Sequence, residues 1–336
     1  TAYYVRVLGQ DVPLGLDVIA DILLNPTFEP EEIEIERGVI LQEIGQALDT
    51  PDDVIFDWLQ SVSYPDQAMG RTILGPEERV RSFSREDLRR FVHEHYVPSQ
   101  MVLSAAGDVD HDAIVRMAEE LFGALETRET KVAVAAKFMG GERREIKALE
   151  QAHFALAFEG PCYTDDSIYT AQVYSVALGG GMSSRLFQEI REKRGLCYTI
   201  FAQTGAYFDT GMTTIYAGTS AEQLPELAAL TMTELARASD DMGDAEVARA
   251  RAQMKAGMLM GLESPSSRAE RLARLMQVWN RIPELEETVA LIDAVSTQGV
   301  KDFAAQLAGQ APAALALYGP VERAPDLAEI LAGRAV

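Results

Sequence analysis

Val80-Arg-Ser-Phe-Ser-Arg-Glu-Asp-Leu-Arg-Arg-Phe91 and Ile292-Asp-Ala-Val-Ser-Thr-Gln-Gly-Val-Lys-Asp-Phe303 share their apolar positions and their Ser at a fixed separation of 212 residues. The same separation pairs Met101-Val-Leu-Ser-Ala-Ala-Gly-Asp-Val109 with Ala313-Ala-Leu-Ala-Leu-Tyr-Gly-Pro-Val321, and Tyr4, Pro13 and Arg37 with Tyr216, Pro225 and Arg249. One ungapped offset along separated stretches marks an internal duplication. Each copy reads as mixed α and β. Ala2 to Leu8 and Met101 to Ala106 have strand composition, and Val12 to Leu24 and Asp110 to Phe122 have helical spacing. Ser84 with Asp87 is a helix-start signal. Ala152 to Phe158 and Leu196 to Gln203 read as strands of the second copy.

The pattern predicts an α+β chain of two homologous domains, each a mostly antiparallel sheet packed with helices. The first domain is expected over 1–128, a small-residue and glycine-containing linker over 129–143, and the second domain over 144–336. By the offset, Thr1 aligns with Thr213, so the counterpart of residues 144–212 falls before Thr1. The first domain is therefore expected to be incomplete, through truncation, processing or supply of that segment from elsewhere; the alternative is a shorter first unit. The absence of an initiator Met agrees with missing upstream sequence.

The chain has 336 residues, 47% of them hydrophobic and 24% charged, with a formal charge of −22. A charge of that sign disfavours phosphate, so no nucleic-acid partner is expected; basic peptides are the partners an acidic surface would concentrate, if it does more than confer solubility. No apolar run is long enough for a membrane span, and the first residues lack the basic and apolar regions of a signal peptide. Cys162 and Cys197 are the only cysteines. They offer no disulfide framework, which fits a reducing, cytoplasmic setting.

Pro30 to Leu48 reads as a helix with an acidic first turn. Glu36, Val39, Ile40 and Glu43 fall on one face of it. Two carboxylates two turns apart can be a metal ligand and its support, or part of a solvated acidic face. In the second copy, Gly179-Gly-Gly-Met-Ser-Ser-Arg-Leu-Phe-Gln-Glu-Ile-Arg-Glu-Lys-Arg-Gly-Leu-Cys-Tyr198 reads as a flexible glycine turn and a helix capped by Ser183 or Ser184. Arg185, Glu189 and Arg194 decorate that helix, Gly195 stops it, and a strand follows. No Lys-Ser/Thr follows the glycines, so a phosphate loop is disfavoured.

Glu36-Arg-Gly-Val-Ile-Leu-Gln-Glu43, with Leu24-Asn-Pro-Thr-Phe28, Ile44-Gly-Gln-Ala-Leu-Asp49 and Tyr64-Pro-Asp, resembles the M16 (inverzincin) zinc peptidases, in the bacterial branch similar to mitochondrial processing peptidase. The resemblance runs from Thr1 to about Pro320. It implies that Glu43 is the downstream zinc ligand and Glu36 a supporting glutamate. It implies too that Arg191 and Tyr198, seven residues apart, meet the peptide, Tyr198 stabilising the oxyanion. The family's H-x-x-E-H helix, which supplies two histidine ligands and the general base, is absent. His93, His95, His111 and His153 do not replace it: His93 and His95, two apart on a helix, point to opposite sides. Lys255 stands where the offset places Glu43, so the second domain is expected to be metal-free.

The resemblance thus implies a zinc metalloendopeptidase acting on peptides or presequence-like segments, catalytically incomplete over these residues. Zinc is expected in the complete protein and none tightly bound by this chain. A homodimer or M16 heterodimer is expected, because two-repeat members form their chamber between subunits. The rival readings are a non-catalytic peptide-binding partner subunit and a structural scaffold.

Overall fold

The computed structural model describes residues 1–130 and 132–333. By packing, the chain divides into two compact units. One holds residues 1–42, 76–133 and 258–283, the other 43–75, 134–257 and 284–336. These are not the linear segments 1–128 and 144–336. Each repeat has given a helical segment to the other repeat's unit.

In chain order the first repeat forms α1 (Val12–Leu24), α2 (Pro30–Leu48), α3 (Pro51–Ser63), α4 (Glu77–Ser82), α5 (Arg85–His95) and α6 (His111–Phe122). The second forms β1 (Gly141–Ile146), β2 (Ala152–Glu159), α7 (Ile168–Gly179), β3 (Cys197–Ala206), β4 (Gly211–Thr219), α8 (Leu224–Asp241), α9 (Asp244–Gly261), α10 (Pro265–Trp279), α11 (Leu285–Asp293), α12 (Thr297–Gly309), β5 (Ala313–Gly319) and α13 (Leu327–Ala332). The offset of 212 reappears in the backbone. It carries the first residue of α1 onto that of α8, and the first residue of α5 onto that of α12. Ser84 caps α5 by accepting from the Asp87 amide, and Ser296 caps α12 by accepting from the Gly299 amide. Gly107 and Gly319 both take positive φ, 120° and 107°, where a side chain would be strained. Each carbonyl then accepts from the amide two residues on, at 3.0 and 2.9 Å.

The second unit is built on one five-stranded sheet of order β1-β5-β2-β4-β3, parallel between β1 and β5 and antiparallel elsewhere. Both faces of its central strands are buried, so β2 and β5 read as near-continuous apolar runs. One face presents Phe154, Leu156, Phe158, Leu315 and Leu317 to the core formed with α7, α8 and α12. The other presents Ala155, Ala157, Ala314 and Ala316, small enough for α3 to lie close. Val54, Ile55, Trp58 and Leu59 of α3 bury themselves there, each worth about 1.5–3 kcal/mol. The Trp58 ring meets Tyr318 edge-on at 4.7 Å. Tyr64 closes the end of α3, its hydroxyl 2.8 Å from Thr210 Oγ1 and 3.2 Å from the Gly211 carbonyl.

The first unit differs from expectation. Residues 2–8 and 101–106, expected as strands, carry no strand ladder. The repeat gives the reason. Their counterparts are β4 and β5, which do not pair with each other but flank β2. The offset finds no match to β2 within residues 1–336, and neither segment has a ladder partner among the described residues. Phe91 lines an apolar cavity of about 290 Å3 with Tyr3, Leu23, Phe28, Leu88 and Tyr96. Its counterpart Phe303 packs against Tyr174 of α7 at 5.4 Å.

Two predictions follow from the covered sheet. A fragment of residues 134–336, lacking α3, should show weak near-ultraviolet circular dichroism and aggregate, and added residues 43–75 should restore the signal; a native-like spectrum without them would contradict the role given to α3. The second concerns His153, buried on β2, with Nδ1 2.9 Å from the Tyr216 hydroxyl. Burial pushes its pKa below the ordinary 6.5, against a weaker opposing pull from Asp52. The unfolded chain then binds a proton that the folded one resists, so this contribution to stability is intact above pH 6.5 and is lost as pH falls through the folded value. His153→Gln should flatten the decline in urea midpoint between pH 7 and 5; an unchanged slope would refute it.

Candidate functional site

α2 carries the two glutamates singled out in the sequence, and its bounds are those expected. Arg37 fixes one side of the helix, donating to the carbonyls of Val80 and Phe83, and Ile44 is buried. Glu36 and Glu43 lie on the exposed side with Val39, and neither carboxylate makes a hydrogen bond or ion pair among the described residues. No group of three or more His, Cys, Asp or Glu side chains there could hold a metal ion. Two carboxylates do not amount to the nitrogen- or sulfur-rich donor set zinc favours, so the residues present do not by themselves fit a zinc site. The histidines have other contacts. His93 meets Arg128 at 2.9 Å, His95 lies against Phe91, His111 opens α6 and His153 is in the sheet. Lys255, the counterpart of Glu43, pairs with Asp293 at 2.5 Å.

The segment from Gly179 to Tyr198 is more tightly built than its sequence suggests. A side chain at Gly179 would come within 2.2 Å of the Ala202 amide nitrogen, so glycine serves close packing of α7 on β3. Gly180 and Ser183 are held from α9, their carbonyls accepting from Gln253 at 2.7 Å and Arg249 at 2.9 Å. This replaces the flexible turn expected. Neither serine caps the helical turn; Ser184 is buried and its hydroxyl makes no hydrogen bond among the described residues. Arg185, expected on the surface, is 9% exposed. It grips Glu246 with two bonds of 2.7 and 2.8 Å and also holds Asp241. Sequence reasoning missed this because the acids lie 56 and 61 residues away.

Residues 187–192 widen into a π-helical turn, and Gly195 at φ 63° reverses the chain into β3. That geometry brings Arg191 and Tyr198 together. The Arg191 Nε donates to the Tyr198 carbonyl at 2.8 Å, and Nη1 reaches Glu192 at 2.6 Å. The guanidinium carbon lies 4.5 Å from the Phe187 ring centroid and 5.5 Å from that of Tyr198. Nη2 has no partner among the described residues. Tyr198 is 78% exposed, and its hydroxyl is likewise unengaged. Together they present a forked cation from the π-helical turn beside a phenol on the edge strand β3, groups suited to peptide carbonyls. Burial pushes the neighbouring Cys197 thiol up to about 11 against the field of Arg191, so it is no nucleophile at neutral pH.

Comparison with known proteins places the chain in one family. Residues 1–77 match the model described as Insulinase (Peptidase family M16), and residues 82–254 the one described as Peptidase M16 inactive domain. An uncharacterized zinc protease of Rickettsia felis is 37% identical over 301 residues, covering 89% of this chain and 73% of that protein. The uncharacterized zinc protease YmxG of Bacillus subtilis is 34% identical, covering 97% and 80%. A probable mitochondrial-processing peptidase subunit beta of Arabidopsis thaliana is 36% identical, covering 97% and 64%. In fold, the chain superposes on a chain of complex III2 from Candida albicans, solved with Inz-5 bound, with a TM-score of 0.90 at 20% identity over 98% of this chain and 82% of the other. The chain belongs to peptidase family M16.

Proposed function

We propose that this chain supplies the peptide-gripping part of a zinc-dependent metalloendopeptidase. The observation that carries the reading is the Arg191–Tyr198 pair. Its guanidinium carbon lies 4.5 and 5.5 Å from two ring centroids, and one amine and the phenol are left for a ligand. Arg191 would donate to a substrate carbonyl. The Tyr198 hydroxyl would donate to the oxygen that gains charge when water attacks the scissile bond. Glu43 would serve as one metal ligand and Glu36 as its support, a reading that rests on their matched positions in α2. These two carboxylates alone do not complete a zinc site. A basic, extended peptide is the proposed substrate, in keeping with the charge of −22. The unpaired thiols Cys162 and Cys197 support a cytoplasmic setting. A second reading, a non-catalytic partner subunit, is favoured by the inactive-domain description matched over residues 82–254.

In a preparation that cleaves a basic extended peptide, Tyr198→Phe should lower kcat by about 10²–10³-fold with little change in KM. Arg191→Ala should raise KM and also lower kcat, because its Nε holds the Tyr198 backbone. Two folded variants as active as the parent would eliminate the assignment. Sedimentation velocity at several micromolar concentrations should show a dimer, or a one-to-one complex with a second M16 subunit. A monomer under both conditions would remove the shared chamber from the proposal.

A further inference from the structure

β1 is an edge strand. It pairs with β5 on one side, and no strand among the described residues pairs with the other. An uncovered edge leaves a row of backbone donors and acceptors, which proteins blunt or use. Beside this edge lies a cavity of about 340 Å3, bounded by Leu48, Trp58, Arg143, Glu145, Lys147 and Tyr318. Its floor is aromatic and almost wholly buried: Trp58 is 8% exposed and Tyr318 3%.

The charged groups stand at alternate positions of β1 and its continuation, and so on one face of the sheet. The Arg143 guanidinium carbon lies 4.1 Å from the Trp58 ring centroid, and the Lys147 Nζ 5.7 Å from that of Tyr318. Stacking on Trp58 holds the half-buried Arg143 in place with part of its hydration already removed, while Lys147 stands exposed over Tyr318. Glu145 stands between them and makes no ion pair among the described residues. Arg144, on the opposite face, is occupied: it donates to the carbonyls of Val321, Ala324 and Pro325. A plus–minus–plus row at alternate positions of an open edge, in a chain of net charge −22, defines the charge of its complement.

We infer that the free edge of β1 is a docking site for an extended peptide, which adds as a sixth strand and places acidic, basic and acidic side chains at alternate positions opposite Arg143, Glu145 and Lys147. The pattern is the same in either strand direction. Backbone hydrogen bonds supply affinity and the side-chain row supplies selection. The site uses neither the α2 glutamates nor Arg191 and Tyr198, so it stands apart from the peptidase reading.

The test is fluorescence anisotropy at low salt with a labelled Thr-Thr-Glu-Val-Lys-Val-Glu-Thr-Thr peptide, and with its charge-reversed form carrying Lys, Glu and Lys at the same positions. The acidic-basic-acidic peptide should bind about tenfold more tightly, the scale of three exposed ion pairs exchanged for three repulsions. That order is informative because bulk attraction to a strongly acidic chain would favour the reversed peptide. The double variant Arg143→Glu, Lys147→Glu should invert the preference, and the single variant Lys147→Glu, at an exposed position, should weaken it. Hydrogen exchange on the parent complex should show new protection at the amides of residues 142–146. Equal binding of the two peptides, tighter binding of the reversed one, no binding at millimolar concentration, or protection only outside β1 would each overturn the proposal.

Discussion

A sheet apolar on both faces needs cover on both, and in this chain the covers come from opposite ends of the sequence. The second repeat supplies α7, α8 and α12 for one face. For the other it has no helix of its own. The first repeat provides α3, whose Ile55, Trp58 and Leu59 fill the trough left by a row of alanines. The packing units are discontinuous for this reason, and the edge cavity beside β1 exists because Trp58 and Tyr318 meet there.

The same constraint decides what the sequence could tell. Local signals were legible wherever local chemistry sets the outcome. The bounds of α1 and α2, the capping box at Ser84 and the positive φ of Gly195 all follow from nearby residues. The strand composition of residues 2–8 and 101–106 was legible too, but a strand is a relation between segments, and the neighbour that would pair them is not among the described residues. The destination of α3 could not be read from its own periodicity. That pattern says a face is buried and does not say against what.

The segment from Gly179 to Tyr198 shows the limit most clearly. Arg185 looks like any surface arginine until α8 and α9 bring Asp241 and Glu246 to it. The glycines look like a loose turn until β3 is laid against them. What was legible was the spacing of Arg191 and Tyr198. The π-helical turn and Gly195 convert that spacing into contact, so the pair arises from backbone geometry within a dozen residues. Glu36 and Glu43 stand at the other extreme: their helix was read correctly, yet their chemistry depends on groups that α2 does not itself bring near.

The debt of α3 to β5 also has a temporal side. Trp58 leaves the ribosome 260 residues ahead of Tyr318. At translation rates of about 5–20 residues per second, that is roughly 13–50 s. During this interval the nascent chain carries the apolar face formed by Val54, Ile55, Trp58 and Leu59 with its final partner not yet made. Holdase chaperones recognise surfaces of that kind, so the order of synthesis leaves α3 without its cover until β5 has been made.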